Sequence, residues 1–256
     1  MGDVLLVTGG ARGIGRAVVE LAAEQGFDIA IGYRTNRDAG EAAVSSVKAW
    51  GRRAMAVQAD VASEADVVRM FEETEAGLGP IKALVNSAGI THRARVGEAS
   101  ATDLQRLMAV NVVGLMLCCR EAVKRMSTAH GGNGGAIVNV GSMAAEFGGR
   151  PGASHYAASK GAVDSFTKGF AKEVARENIR VNAVRPGVTI TDMVSAVRDD
   201  PERHAAVSAT IPMARPAEAR EIAEPALWLL SDAASFVTGC IVDASGGGFV
   251  IGAGTG

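Results

Sequence analysis

Short apolar runs of strand length recur along this chain with longer amphipathic segments between them, and no other feature narrows the fold as much. The runs fall at residues 4–7, 28–33, 53–58, 83–86, 136–141, 180–184 and 240–243. Apolar residues at helical spacing fill 14–25, 39–50, 64–75, 101–129 and 157–177. A parallel strand pair needs a crossover connection, usually a helix, and such crossovers are right-handed. The alternation therefore predicts an α/β fold: a Rossmann-type doubly wound, seven-stranded parallel sheet with helices on both faces. No Pro-rich or Gly/Ser-rich linker and no repeat of solenoid length divides the chain, so residues 1–256 are expected to form a single domain.

Composition bounds the function. A net charge of -2 gives no basic excess for nucleic acid or anionic lipid. No apolar run approaches the roughly 18 residues that span a bilayer. The first strand begins too near the amino terminus to leave room for a signal peptide, so a cytoplasmic protein with no membrane and no nucleic-acid partner is expected. The cysteines Cys118, Cys119 and Cys240 and the histidines His92, His130, His155 and His204 show no metal-ligand spacing, and no metal is expected. The cluster from Gly131 to Gly135 precedes a strand and lacks the Lys-Ser or Lys-Thr of a P-loop, which makes it a turn. The long connection 190–213 has the mixed character of a lid over a site.

Directly after the first strand comes Thr8-Gly9-Gly10-Ala11-Arg12-Gly13-Ile14-Gly15, running straight into a helix. Glycines let the backbone turn sharply and approach a ligand, and the free N–H groups of a helix N-terminus favour a pyrophosphate. The spacing, Gly9-x-x-x-Gly13-x-Gly15, differs from G-x-G-x-x-G, so a purely structural turn remains an alternative. At the end of the second strand a carboxylate would select NAD by binding the ribose 2′-hydroxyl. The sequence there is Ile31-Gly32-Tyr33-Arg34, with no acid. Arg34, with Arg12 from the glycine loop, can pair with a 2′-phosphate, which favours NADP(H); two solvated surface arginines are the plainer alternative. Asp60, followed by Val61, can accept a hydrogen bond from the adenine amino group or cap the helix starting near Ser63.

Farther on, Tyr156 and Lys160 stand one helical turn apart on one face. A phenol titrates near 10, and a neighbouring ammonium would draw it towards the working range, where Tyr156 could give a proton to a carbonyl oxygen or take one from an alcohol. Ser142 closes the fifth strand, on the side where doubly wound sheets bind ligands, and its hydroxyl can hold a substrate oxygen. Asn111 is a polar amide inside the helix expected over 101–129; it needs a partner, such as a backbone carbonyl or a water chain to Lys160, or else marks a kink.

These residues resemble the short-chain dehydrogenase/reductase family, in its short single-domain branch. The resemblance rests on Thr8-Gly9-x-x-x-Gly13-x-Gly15, Asn86-Ser87-Ala88-Gly89, Asn111, Ser142, Tyr156-x-x-x-Lys160 and Pro186-Gly187, in the family's order over nearly the whole chain. Within the family the chain is similar to bacterial 3-oxoacyl-carrier-protein reductases and glucose-1-dehydrogenase-like oxidoreductases. The resemblance implies a catalytic tetrad of Asn111, Ser142, Tyr156 and Lys160, with Tyr156 as acid/base, Ser142 orienting the carbonyl and Lys160 also holding the nicotinamide ribose. It implies a cofactor wall from Asn86, Ala88 and Gly89, where Ser87 replaces the family's commoner second Asn. It also implies a segment from Pro186 to Met193 in which Pro186 and Gly187 lead to nicotinamide contacts at the Val188 backbone and the Thr191 hydroxyl.

A homotetramer acting on a small carbonyl or alcohol substrate (a 3-oxoacyl thioester, a ketone or a sugar) is implied as well. Thr91, Arg93, Met143, Phe147, Arg150, His155, Met193 and Val197 are expected around that substrate. An NAD(H)-dependent dehydrogenase and a non-catalytic NADP-binding redox sensor are the alternatives, and the complete tetrad speaks against the second.

Overall fold

The computed structural model describes residues 2–192 and 199–248. Seven strands make one sheet: β1 (Val4–Thr8), β2 (Asp28–Tyr33), β3 (Ala54–Gln58), β4 (Ile81–Asn86), β5 (Gly135–Val140), β6 (Ile179–Pro186) and, after a separate short pair β7 (Thr189–Ile190) with β8 (Ala217–Glu218), β9 (Ile241–Ala244). Their order is β3-β2-β1-β4-β5-β6-β9, and every pairing is parallel. From β1 the chain winds outward through β2 and β3, then returns to lay β4 on the other side of β1. That reversal opens a crevice at the carboxyl ends of β1 and β4, where this architecture binds ligands.

Both faces of the sheet are covered, which is why the strands read as continuous apolar runs rather than alternating ones. Leu5, Val7, Ile29 and Val85 face a core completed by α1 (Gly13–Glu24), α2 (Arg37–Ala49) and a late helix, α9 (Ala219–Leu230). Leu6, Leu84, Ile137 and Val181 face the opposite core, under α3 (Glu64–Leu78), α5 (Leu115–Met126) and α7 (Ser154–Val174). The shorter helices α4 (Ala101–Met108), α6 (Ala144–Phe147) and α8 (Pro201–Ser208) lie among the connections.

Helix ends divide into two kinds. Asn36, Ser63 and Ser100 cap α2, α3 and α4 with side-chain oxygens that accept first-turn N–H groups, an arrangement worth about 1 kcal/mol each. The N-termini of α1 and α7 have no side-chain cap, and these two helices begin at the crevice.

Two elements depart from the pattern read in sequence. The helix expected over 101–129 is α4 and α5 joined by a wider π-helical stretch, Ala109–Gly114, which holds Asn111; such insertions are frequent at functional sites. Helix α9 carries Pro225 in its interior, where proline removes a backbone donor and obscures the periodicity. It persists because Ile222, Ala226 and Leu227 are buried in the sheet's core, and packing outweighs propensity.

Candidate active site

The first wall of the crevice is almost entirely backbone. Gly9 sits at φ 67°, and a Cβ there would come within 2.9 Å of the Ala88 backbone. Only glycine fits both the left-handed conformation and that approach. A side chain at Gly15 would run into the Gly9 carbonyl, so the loop folds tightly over the start of α1. Ile14, between them in sequence, packs against the core below. Arg12 holds the N-cap position of α1 in an extended conformation and does not cap it. The first-turn N–H groups thus lack a side-chain acceptor from the cap residue, the arrangement that suits an anion. Arg12 and Arg34 are both exposed.

Asp60 does not cap α3; Ser63 does. Asp60 instead accepts hydrogen bonds from the Ala62 N–H at 3.0 Å and from Arg106 Nη2 at 2.7 Å. Burial raises the carboxyl pKa, but Arg106 and the backbone more than offset this and leave it lowered. The neighbouring Val61 is buried, and its carbonyl packs so near Gly114 that any Cβ there would collide with it.

The side chain of Asn86 points away from the crevice. Its amide donates to Asn139 Oδ1 at 2.9 Å and to Cys119 Sγ at 3.3 Å, and Asn139 donates on to Thr167 Oγ1 at 2.9 Å. This polar chain ties β4, β5 and α7 together in an otherwise apolar core, and each lost member would leave buried partners unsatisfied. What Asn86 brings to the crevice is position. The chain beyond it places the Ala88 N–H on Thr8 Oγ1 at 3.2 Å and sets Gly89 where a Cβ would meet Asn111 Oδ1 at 3.4 Å and Lys160 Nζ at 3.7 Å.

Asn111 is 1% exposed. It clasps the backbone of Ile90 from both sides, accepting its N–H at 2.9 Å and donating to its carbonyl at 2.9 Å, and donates also to Ser159 Oγ at 3.1 Å. A backbone carbonyl was one of the partners its buried amide called for, and neither Ile90 nor Ser159 could be named from spacing.

Ser142 lies just past β5, where its Oγ accepts the Ala144 N–H at 3.1 Å. Its side chain lies near enough to that of Tyr156 to lower the phenol pKa. Lys160, 6% exposed, donates to the Val140 carbonyl at 2.8 Å, with Nζ 6.0 Å from the centre of the Tyr156 ring. Electrostatics here correct the sequence argument. Burial is the leading influence on Tyr156 and pushes the phenol pKa up, and Ser142, not Lys160, works against that rise. Burial also brings the Lys160 amine down to about 8, with the Asp164 charge working against it. Desolvation penalises both charged forms, a contribution that residue spacing does not reveal.

Beyond β6, the Gly187 N–H is held by the Ala244 carbonyl at 2.9 Å and the Val188 carbonyl accepts the Ala217 N–H at 2.9 Å. Pro186 ends β6 in register with Ala244. Thr191 reaches back to the glycine loop, its Cγ2 lying 3.3 Å from where a Cβ on Gly13 would stand. The two segments expected to hold opposite parts of a dinucleotide therefore meet.

Next to Ser142 a cleft of about 650 Å³ is lined by Met143, Phe147 and Arg150, three of the residues expected around a substrate, and also by Glu146, Val207 and Thr210. His155 turns elsewhere: its Nε2 is 2.9 Å from the His92 carbonyl and 3.1 Å from His92 Nδ1. Thr91 and Arg93, on the same loop as His92, are absent from that lining. Met193 and Val197 lie outside the described residues. A smaller concavity of about 340 Å³ runs along α7 from Lys168 to Ala175, two or more turns beyond Lys160 and away from the chemistry.

A doubly wound sheet whose crevice gathers an uncapped helix terminus, a serine, a tyrosine and a buried lysine fits the nucleotide-binding α/β oxidoreductases, and sequence comparison agrees. The profile of the family described as enoyl-(acyl carrier protein) reductase matches residues 9–248. The uncharacterized oxidoreductase YgfF of Escherichia coli is 45% identical over 245 residues, covering 95% of this chain and 99% of that protein. Carbonyl reductase family member 4 of Xenopus laevis is 38% identical over 247 residues, 96% of this chain and 98% of its own. Among solved structures, a blue fluorescent protein from a metagenomic library in complex with NADPH matches with a TM-score of 0.88 at 38% identity, covering 96% and 97% of the two chains. A Serratia marcescens short-chain dehydrogenase/reductase mutant matches with a TM-score of 0.89 at 32% identity, covering 96% and 98%. The chain belongs to the short-chain dehydrogenase/reductase family.

Proposed function

We propose that this oxidoreductase uses NADP(H) to interconvert a small carbonyl compound and the corresponding secondary alcohol, with Tyr156 as the general acid/base. The observation that carries the reading is the grouping of Tyr156 with Ser142, which lowers the phenol pKa, and with buried Lys160, whose Nζ lies 6.0 Å from the centre of the Tyr156 ring, at the carboxyl end of β5. The crevice fits a dinucleotide: the α1 terminus has no side-chain cap, and the Gly9 approach leaves no room for a Cβ. In this reading Gly9, Gly13, Ile14 and Gly15 cradle the pyrophosphate, and Arg12 and Arg34 pair with the 2′-phosphate. Asp60 and Val61 border the adenine. Asn86, Ala88 and Gly89 form the wall, Pro186, Gly187, Val188 and Thr191 hold the carboxamide end, and Tyr156 and Lys160 hold the ribose. When bound, the nicotinamide supplies or accepts the hydride.

The chain's own residues manage the proton and the oxygen. Ser142 Oγ holds the substrate oxygen and polarises the carbonyl. Tyr156 gives its phenolic proton to that oxygen in reduction and takes it back in oxidation. The Lys160 ammonium stabilises the phenolate left behind, and the Asn111 amide keeps the Ile90 backbone and Ser159 fixed beside it. NADPH in a matching solved structure and the carbonyl reductase relative support both cofactor and substrate class. The reading brings with it a single cytoplasmic domain, a lid formed by 190–213, of which 193–198 lie outside the described residues, and a homotetramer; among the described residues no helix is long and apolar enough to cross a membrane.

A screen of 3-oxoacyl thioesters, ketones and sugars, following NADPH absorbance with NADH in parallel, tests the proposal. At least one carbonyl class should be reduced with NADPH preferred. No turnover with any substrate, or a clear preference for NADH, would overturn it.

A further inference from the structure

Helix α7 carries a third ionisable group on the face that bears Tyr156 and Lys160. Asp164 follows Lys160 by one turn. It is 8% exposed, and its Oδ1 makes no hydrogen bond. That oxygen lies against Gly141, where a Cβ would stand 3.1 Å from it, while Lys160 Nζ meets the carbonyl of the preceding residue, Val140, at 2.8 Å. Carboxylate and ammonium thus rest on consecutive residues at the end of β5.

Charges face Asp164 from several elements. Lys160 and Lys168 share α7 with it, Arg185 comes from β6 and Asp243 from β9. Arg185 Nη1 reaches Asp164 Oδ2 at 3.4 Å, but the same guanidinium holds Glu146 of α6 and Asp243 at shorter range. Burial raises the Asp164 pKa, and Arg185, Lys168 and Lys160 work against that rise and favour the carboxylate. Lys160 itself donates to a neutral carbonyl, and burial drives its amine towards the neutral form against the Asp164 field.

We propose that Asp164 is a positioning residue for the reaction, a buried carboxylate that keeps the Lys160 ammonium charged and seated against the end of β5. The proposal rests on the reading of Lys160 as the cation that stabilises the Tyr156 phenolate. Its sign is fixed: Lys160 loses its charge as pH rises, and removing the Asp164 charge brings that loss to lower pH.

The test is a titration of Lys160 by NMR of ¹³C-labelled lysine in the full chain, with the signal assigned through Lys160→Arg. In Asp164→Asn the Lys160 midpoint should fall by about one pH unit, and the alkaline limb of carbonyl reduction should move down with it. Asp243→Asn, which removes another of the carboxylates on Arg185, should leave both in place. An unchanged Lys160 midpoint in Asp164→Asn, an equal shift in Asp243→Asn, or an activity limb that stays put while Lys160 shifts would each overturn the proposal. Asp164→Ser, also neutral, serves as the second variant if the Asn substitution prevents folding. The NMR titration needs no turnover, so its failure is distinct from failure of the proposed reaction.

Discussion

At the β1–α1 turn the crevice is made of backbone, whereas at the ends of β5 and α7 it is made of side chains. Gly9, Gly13 and Gly15 act through what they lack, letting main chain approach main chain. Asn111 and Lys160 act through hydrogen bonds to groups distant in sequence, among them the Ile90 and Val140 carbonyls, and they flank the Ser142 and Tyr156 side chains. One region can therefore be damaged by adding a methyl group, the other by removing a single polar atom. The first change should affect folding and cofactor affinity together, the second chiefly the reaction.

The sharpest break of the backbone region is Gly9→Ala. Left-handed φ and overlap with the Ala88 backbone should together destabilise the fold by about 2–4 kcal/mol and abolish NADPH binding, read by denaturant unfolding and by calorimetry. Wild-type stability with intact binding would show that the loop relaxes and the close approach carries no weight. Arg34→Asp probes the exposed rim of the same region and should be milder. It should weaken NADPH roughly tenfold to a hundredfold, the loss of one charged hydrogen-bond partner, while NADH changes little. Equal weakening of both would remove Arg34 from the 2′-phosphate.

The same contrast explains what could be read from the sequence. Strand and helix alternation and the glycine loop are local patterns, and the seven-stranded parallel sheet follows them closely. Tyr156 and Lys160 share a helix face, so their neighbourhood was legible too. The partners were not: Ser159 beside Asn111 and the shared Arg185 depend on which segments meet across the sheet. Asn86 shows the limit most clearly. Its place in the motif was evident, but its amide serves a buried chain through Asn139 to Thr167, formed by residues that no spacing rule connects. Burial likewise decided the pKa directions of Tyr156 and Lys160, where sequence offered only their mutual charge. Asp164 did leave a signal, a carboxylate one turn past Lys160, though its burial was not visible.

Tyr156→Phe tests the central claim most directly, because it deletes one oxygen from the side-chain region and leaves the backbone region untouched. With NADPH binding and turnover measured on the same preparation, the account predicts a dissociation constant within a few-fold of the parent and a turnover lower by about 10²–10⁴, the share that positioned acid–base catalysis contributes. Turnover at the parent rate would contradict it.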